Sequence, residues 1–149
     1  MGLSQPSKVV CCNRKQLCIS TNCESALSAI FQYHVEAETW LRIDQICIDQ
    51  QNVVEKSQQI PMMSNIYRRA QRVLAYLGPE DDITKQWFLN MRNDLDLLKF
   101  TEAPNELAVR PWFNRVWVKQ EVAVAKAVQL ICGSVEVSLE EFQKWTGIE

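Results

Sequence analysis

The sequence predicts an α/β fold, a mostly parallel sheet flanked by helices, and three observations carry that expectation. Apolar strand-like runs at 40–48, 72–78 and 128–133 alternate with stretches of helical periodicity. Within the first run, Leu41, Ile43, Ile46, Cys47 and Ile48 are too continuously apolar for a sheet with one wet face, so both faces are expected to be covered. The other two runs stop at glycine, Gly78-Pro79 and Gly133.

Taken in order, residues 8–19 suggest two short strands around the polar turn Asn13-Arg14-Lys15. Thr21 or Asn22 can cap a helix reaching about Tyr33, with Leu27, Ile30 and Phe31 as its inner face. After the 40–48 strand, a helix over about 54–71 keeps Ile60, Met63, Tyr67, Ala70 and Leu74 at a spacing of three to four. Pro61 falls inside it, so the helix either starts there or kinks; a start near Gln59 after a loose turn is the favoured reading. The 72–78 strand then closes a strand-helix-strand unit, which by its usual right-handed crossover builds parallel sheet. Trp87, Phe88, Met91, Leu95 and Leu98 mark an amphipathic helix that ends before Pro104. Residues 110–114 read as a turn and 115–126 as a helix with Val116, Val122 and Ala123 among its apolar positions. Strands at 128–133 and 135–137 and a helix at 139–145, capped by Ser138, finish the chain. No repeat or flexible linker interrupts it, so 1–149 is expected to be one domain.

Composition excludes several classes. A 149-residue chain with 47% hydrophobic residues can bury a core, and a net charge of −2 gives no electrostatic drive toward nucleic acid. The cluster Arg68-Arg69 with Arg72 reads as a solvated C-terminal turn. No apolar run reaches the ~20 residues of a membrane span, and the N-terminus lacks a signal-peptide core, so a cytoplasmic protein is expected. Pro6 stands where a myristoylation motif wants Ser or Thr. Six cysteines without a Cys-x-x-Cys pair, and one histidine, His34, argue against a zinc site; buried free thiols are expected and no metal is assigned. With glycine only at 2, 78, 133 and 147, no dinucleotide or Walker loop is present.

Two blocks concentrate acids beside aromatics: Thr39-Trp-Leu-Arg-Ile-Asp-Gln-Ile-Cys-Ile-Asp-Gln50 and Arg110-Pro-Trp-Phe-Asn-Arg-Val-Trp-Val-Lys-Gln-Glu121. Such a carboxylate is either a satisfied structural group or one prepared for binding or acid/base chemistry. Asp44, interrupting an apolar strand, needs a partner, with Arg115 or a helix N-terminus as candidates. Asp49 and Gln50 would lie past the strand's carboxyl end, where open α/β sheets bind ligands, although Asp49 could instead cap the next helix. Glu121 could pair with Arg115, Arg110 or a backbone amide, leaving Trp117 as core.

These blocks, with Glu55-Lys56, Met63, Ile66-Tyr67, Ala70, Val73 and Leu77-Gly78 after the first and Ala123, Ala125 and Cys132-Gly133 after the second, resemble the fungal heterokaryon incompatibility (HET) domain over roughly 16–142. Arg42 departs from the family's usual aromatic residue, and the family's opening strand with its Ser-Tyr-x-Trp-Gly-like block has no counterpart before Lys8. The resemblance thus implies a lost first strand, by truncation or decay, or a slot filled by another chain. It implies a fungal, cytoplasmic effector of self/non-self recognition and programmed cell death, working as an assembly module with itself or a sensor protein. The family is distantly similar to TIR domains, which implies a TIR/flavodoxin-like three-layer fold and a second reading as an NAD-cleaving hydrolase. In that reading Glu121, four residues after Trp117, is the catalytic carboxylate, NAD is the substrate, and Trp117, Asp44, Asp49, Gln50 and Arg115 form the binding set. An inactive remnant is the third reading.

Overall fold

The computed structural model describes residues 7–34, 36, 38–93, 107 and 109–146, without the side chains of Ser7, Val116 and Trp117. These form two compact units, 1–62 and 63–149.

In the first unit, β1 (Ser7–Cys12) and β2 (Lys15–Ser20) pair antiparallel with Cys12 opposite Lys15. Asn13 and Arg14 make the two-residue turn at φ 50 and 64, the positive pair whose twist matches that of the flanking strands. The cap of α1 (Thr21–Ala29) is Ser20, one residue earlier than expected, its hydroxyl accepting from the Cys23 amide at 3.2 Å. Residues Ile30–His34 continue α1 as a π-helical turn. That wider turn rotates the register, so Ile30 is buried while Phe31, expected inside, is exposed.

The expected strand over 40–48 does not form. Residues 41–43 lack a ladder partner among the described residues, and Asp44–Cys47 is a single helical turn, α2. Backbone that finds no strand to pair with satisfies its hydrogen bonds locally: Cys47 and Ile48 donate to Ile43 and Asp44 carbonyls. The side-chain carbonyl of Gln45 accepts from the Ser20 amide and hydroxyl, at 3.3 and 3.0 Å, fixing α2 to the end of β2. Helix α3 (Val53–Gln59) begins earlier than the favoured reading, because Asn52 caps it by accepting from the Glu55 amide at 3.0 Å. A 3₁₀ turn, Ile60–Met62, follows at Pro61, whose ring cannot donate to the preceding turn.

The second unit opens with α4 (Met63–Arg69) and holds a three-stranded sheet of β3 (Val73–Gly78), β4 (Val128–Cys132) and β5 (Val135–Ser138), in that order. The fold is α/β, but its sheet is mixed: β3 and β4 are parallel, β4 and β5 antiparallel, with a separate two-stranded hairpin. The βαβ unit expected from 40–78 is therefore absent, and the parallel pair is β3 with β4.

Helices α5 (Asp82–Arg92), α6 (Val116–Val124) and α7 (Leu139–Thr146) surround this sheet. Leu95, Leu98 and the expected helix end before Pro104 lie outside the described residues. Leu130, Ile131 and Cys132 of central β4 are fully buried, and Trp87, Phe88 and Met91 from α5 and Phe142 from α7 join Leu107 in the same core. The β4–β5 turn uses Gly133 at φ +53, where an added Cβ would meet Glu80 Cγ at 2.7 Å, so both backbone and space require glycine. No helix among the described residues is long and apolar enough to cross a membrane.

Candidate functional site

Asp44, Asp49 and Gln50 fall on one loop of the 1–62 unit. Asp44 is the first residue of α2 and half-buried; its cation is Arg42, whose Nε lies 3.5 Å from Oδ1, not Arg115. Burial raises the Asp44 carboxyl above its usual range, and Arg42 opposes that shift. Gln50 braces the loop, Nε2 donating to the Asp44 and Ile48 carbonyls at 2.9 and 3.1 Å. Asp49 does not cap α3. Its Oδ1 accepts from the Gln51 amide at 3.0 Å, an Asx turn, while Glu55 Oε1 accepts from the Asp49 amide and Lys56 donates to the Gln50 carbonyl. The polar groups of 44–56 thus largely satisfy their own backbone, which is what a loop without a ladder requires.

The second block lies on the 63–149 unit. Trp112 meets Phe113 edge-on at 4.9 Å, and Phe113 stacks on Phe142 at 5.4 Å, anchoring the 110–114 turn to the core. Arg115 is exposed at the N-cap position of α6, and its amide donates to the Trp112 carbonyl. Glu121, five residues into α6, is half-buried and makes no ion pair or side-chain hydrogen bond among the described residues. The Trp117 side chain lies outside the description, so the shared face of Trp117 and Glu121 stays a matter of spacing. Of the six sequence candidates, Asp44, Asp49 and Gln50 share a loop, and Arg115, Trp117 and Glu121 share a helix.

A third constellation, which the sequence reading missed, sits at the carboxyl ends of parallel β3 and β4. Arg110, mostly buried, donates through Nη1 to the Leu77 and Pro79 carbonyls at 3.1 and 3.2 Å and to Cys132 Sγ at 3.3 Å. Through Nη2 it reaches Thr84 Oγ1 at 3.3 Å and Asp81 Oδ2 at 3.4 Å. Asp81 caps α5, accepting from the Thr84 amide at 2.7 Å and the Thr84 hydroxyl at 2.9 Å. Glu80 accepts from the Ser134 amide and hydroxyl at 2.9 and 2.7 Å and from Lys85 at 3.0 Å. The usable signal was the position of Gly78-Pro79-Glu80-Asp81 just past a strand end, read only as a stop.

The electrostatics of this cluster are those of a lock. Hydrogen bonds from the Thr84 amide and hydroxyl, with Arg110 nearby, hold the Asp81 carboxyl below its usual range. Desolvation pushes Glu80 upward, but bonds from Ser134 and Lys85 outweigh it and the net shift is down. Burial lifts the Cys132 thiol to about 11 despite Arg110, so it is no nucleophile at neutral pH. Glu141, bonded by the Ser138 hydroxyl and amide, is likewise lowered.

A pH dependence follows. Because these three carboxyls titrate lower when folded, their stabilisation is complete above the ordinary values of 3.8 for Asp81 and 4.5 for Glu80 and Glu141, and is lost as the pH falls through the folded ones. Asp44, shifted the other way, opposes folding above its ordinary 3.8 and ceases to do so on acidification. The three lowered groups all lie in the 63–149 unit and Asp44 in the other, so the urea midpoint of the 63–149 unit is expected to fall as pH is stepped from 5 toward 3, and Glu80→Gln is expected to flatten that descent.

The family model described as Heterokaryon incompatibility protein (HET) matches residues 2–121. The match takes in the β1–β2 hairpin, which the resemblance had left mostly outside, and ends on Glu121, before β4. It runs through both compact units. Searches of curated proteins and of solved structures gave no match. With four-fifths of its length matched, the chain belongs to the heterokaryon incompatibility (HET) protein family.

Proposed function

We propose that this chain is an effector module of fungal self/non-self recognition that promotes programmed cell death by assembling with protein partners, its two units serving one HET domain. Family membership supports the biological setting. The observation that carries the assembly reading is the set of large apolar side chains left in water on the 1–62 unit. Trp40 is 98% exposed and Val53 75%, with Phe31, Tyr33, Val54 and Ile60 also exposed. Side chains of that kind, tryptophan above all, supply the binding energy of protein interfaces.

A second reading, NAD cleavage, is favoured by Glu121. It is accessible, without a described ion-pair partner, and four residues after Trp117. A carboxylate so placed could stabilise an oxocarbenium-like ribosyl centre.

The two are separated by Trp40→Ser with Val53→Ser, set against Glu121→Gln. Each is expressed in fungal cells scored for death, and each is purified for light scattering and NAD turnover. The assembly reading expects the double surface variant to weaken association at least tenfold and to abolish death, with Glu121→Gln indistinguishable from the parent. Death and NAD turnover that both vanish in a folded Glu121→Gln protein would replace it with the enzymatic one.

A further inference from the structure

The β1–β2 hairpin carries a cluster of nucleophiles that the proposed function does not use. Val9 lies opposite Cys18 and Cys11 opposite Gln16, so these four side chains share one face of the ribbon. Alternation places Lys8, Val10, Cys12, Lys15, Leu17 and Ile19 on the other face, where Ile19 is buried. The Val9 face looks into water: Val9 is 61% exposed, and Cys11 and Cys18 are free and exposed. It has no charge of its own, but residues 7–20 contain Lys8, Arg14 and Lys15 and no acid, and the turn holds Arg14 at the tip.

Two simpler fates for these thiols are disfavoured. Cys11 and Cys18 are diagonal rather than direct neighbours, which puts them about 7–8 Å apart. That is beyond the Cα separation of about 4.4–6.8 Å that a disulfide spans. Among the described residues no three His, Cys, Asp or Glu side chains converge to hold a metal.

We propose that Cys11 and Cys18 are S-acylation sites through which the hairpin docks on an anionic membrane surface, with a long-chain acyl-coenzyme A as acyl donor. The chemistry is a thioester exchange. The cysteine sulfur, giving its proton to a base, attacks the acyl carbonyl; the bond from that carbon to the coenzyme A sulfur breaks, and coenzyme A leaves as a thiolate that takes up a proton. Nothing is oxidised or reduced. One acyl chain binds a bilayer only marginally and reversibly, whereas two chains, or one chain with a basic patch, hold a protein there. The hairpin supplies the two-chain case, with two thiols pointing the same way beside an exposed valine, and Arg14 at its tip adds a cation for the negative leaflet, while Lys8 and Lys15 stand on the opposite face. The site is separate from the Trp40 and Val53 positions and does not depend on the assembly reading.

The test uses the full chain in fungal cells. Thiols are blocked, thioesters are cleaved with hydroxylamine, and the freed thiols are captured and mapped by mass spectrometry. Hydroxylamine-dependent capture is expected, with acyl groups on Cys11 and Cys18. Cys11→Ser with Cys18→Ser is expected to reduce capture at least tenfold and to move the chain from the membrane pellet to the supernatant, whereas Cys12→Ser with Cys47→Ser leaves both unchanged. No hydroxylamine-dependent capture of the parent chain, beside a captured control protein, overturns the proposal. So do acyl groups mapped only to other cysteines, a result read on the parent chain and independent of how the variants fold.

Discussion

Phe142→Ala is expected to destabilise the 63–149 unit by about 3–5 kcal/mol, the range for emptying a buried phenylalanine site. Phe142 is fully buried and stacks on Phe113, which in turn meets Trp112, so one ring joins α7 to the turn ahead of α6. Besides Phe142, Leu139 and Trp145 of α7 pack against the core in part, and the helix start has support of its own. That support is a capping box, with Ser138 Oγ accepting from the Glu141 amide at 3.1 Å and the Glu141 carboxylate accepting from the Ser138 amide at 3.0 Å. The core around Phe142 contains Leu130, Val137 and Phe88 on secondary structure held by its own hydrogen bonds, so it can collapse only partly into the cavity. The measurement is urea unfolding, with a lower midpoint at unchanged slope. A loss below about 1 kcal/mol, the level of a surface substitution, would mean that α7 is not part of the cooperative core.

Arg110→Ala is expected to cost about 1–3 kcal/mol, because it removes the part-buried donor to the Leu77 carbonyl and the cation beside Asp81, while the Pro79 carbonyl keeps the Cys132 thiol. Those carbonyls lie where β3 ends. Gly78 turns away at φ +121 and the ladder with β4 is irregular between Tyr76 and Gly78, which is where the Arg110 side chain enters. A guanidinium suits this place because its rigid fork reaches several acceptors in different directions, which an ammonium cannot. Arg110→Lys is therefore expected to recover less than half of the loss. Arg115→Ala, removing an exposed arginine five residues on, is expected to stay within about 0.5 kcal/mol of the parent. Equal losses at 110 and 115 would show that the lock contributes no more than charge.

How much of this protein was legible in its sequence depended on where each element finds its partners. The β1–β2 hairpin, the glycine-stopped strands β3 and β4, the Ser138 cap of α7 and the helical run through Trp87, Phe88 and Met91 all emerged near their expected places. Their signals are local: a two-residue turn, a glycine at positive φ, a capping side chain, a periodic apolar face. The family, too, was readable from short ordered blocks, and the matched region bears that out. The 40–48 segment went the other way. Its composition is that of a buried strand, yet a strand is a property of a pair, and without a ladder the same residues close a helical turn and leave Trp40 in water. The thiols divided by the same logic: Cys23 and Cys132 are buried as expected of free cysteines, while Cys11, Cys12, Cys18 and Cys47 are not.

The candidate site shows the division most plainly. Sequence alone marked the acids of two blocks, because carboxylates beside aromatics and apolar runs stand out against the patterning around them. The structure decided what those side chains face: Arg42 for Asp44, loop backbone for Asp49 and its neighbour Gln50, and no described ion pair for Glu121. Only tertiary structure could bring Arg110 to Asp81, 29 positions away, and Glu80 to Ser134, 54 away. Local periodicity fixes which side chains lie on one face of one element; it carries no information about which strand ends converge, and that convergence is set by the buried core of β4, α5 and α7.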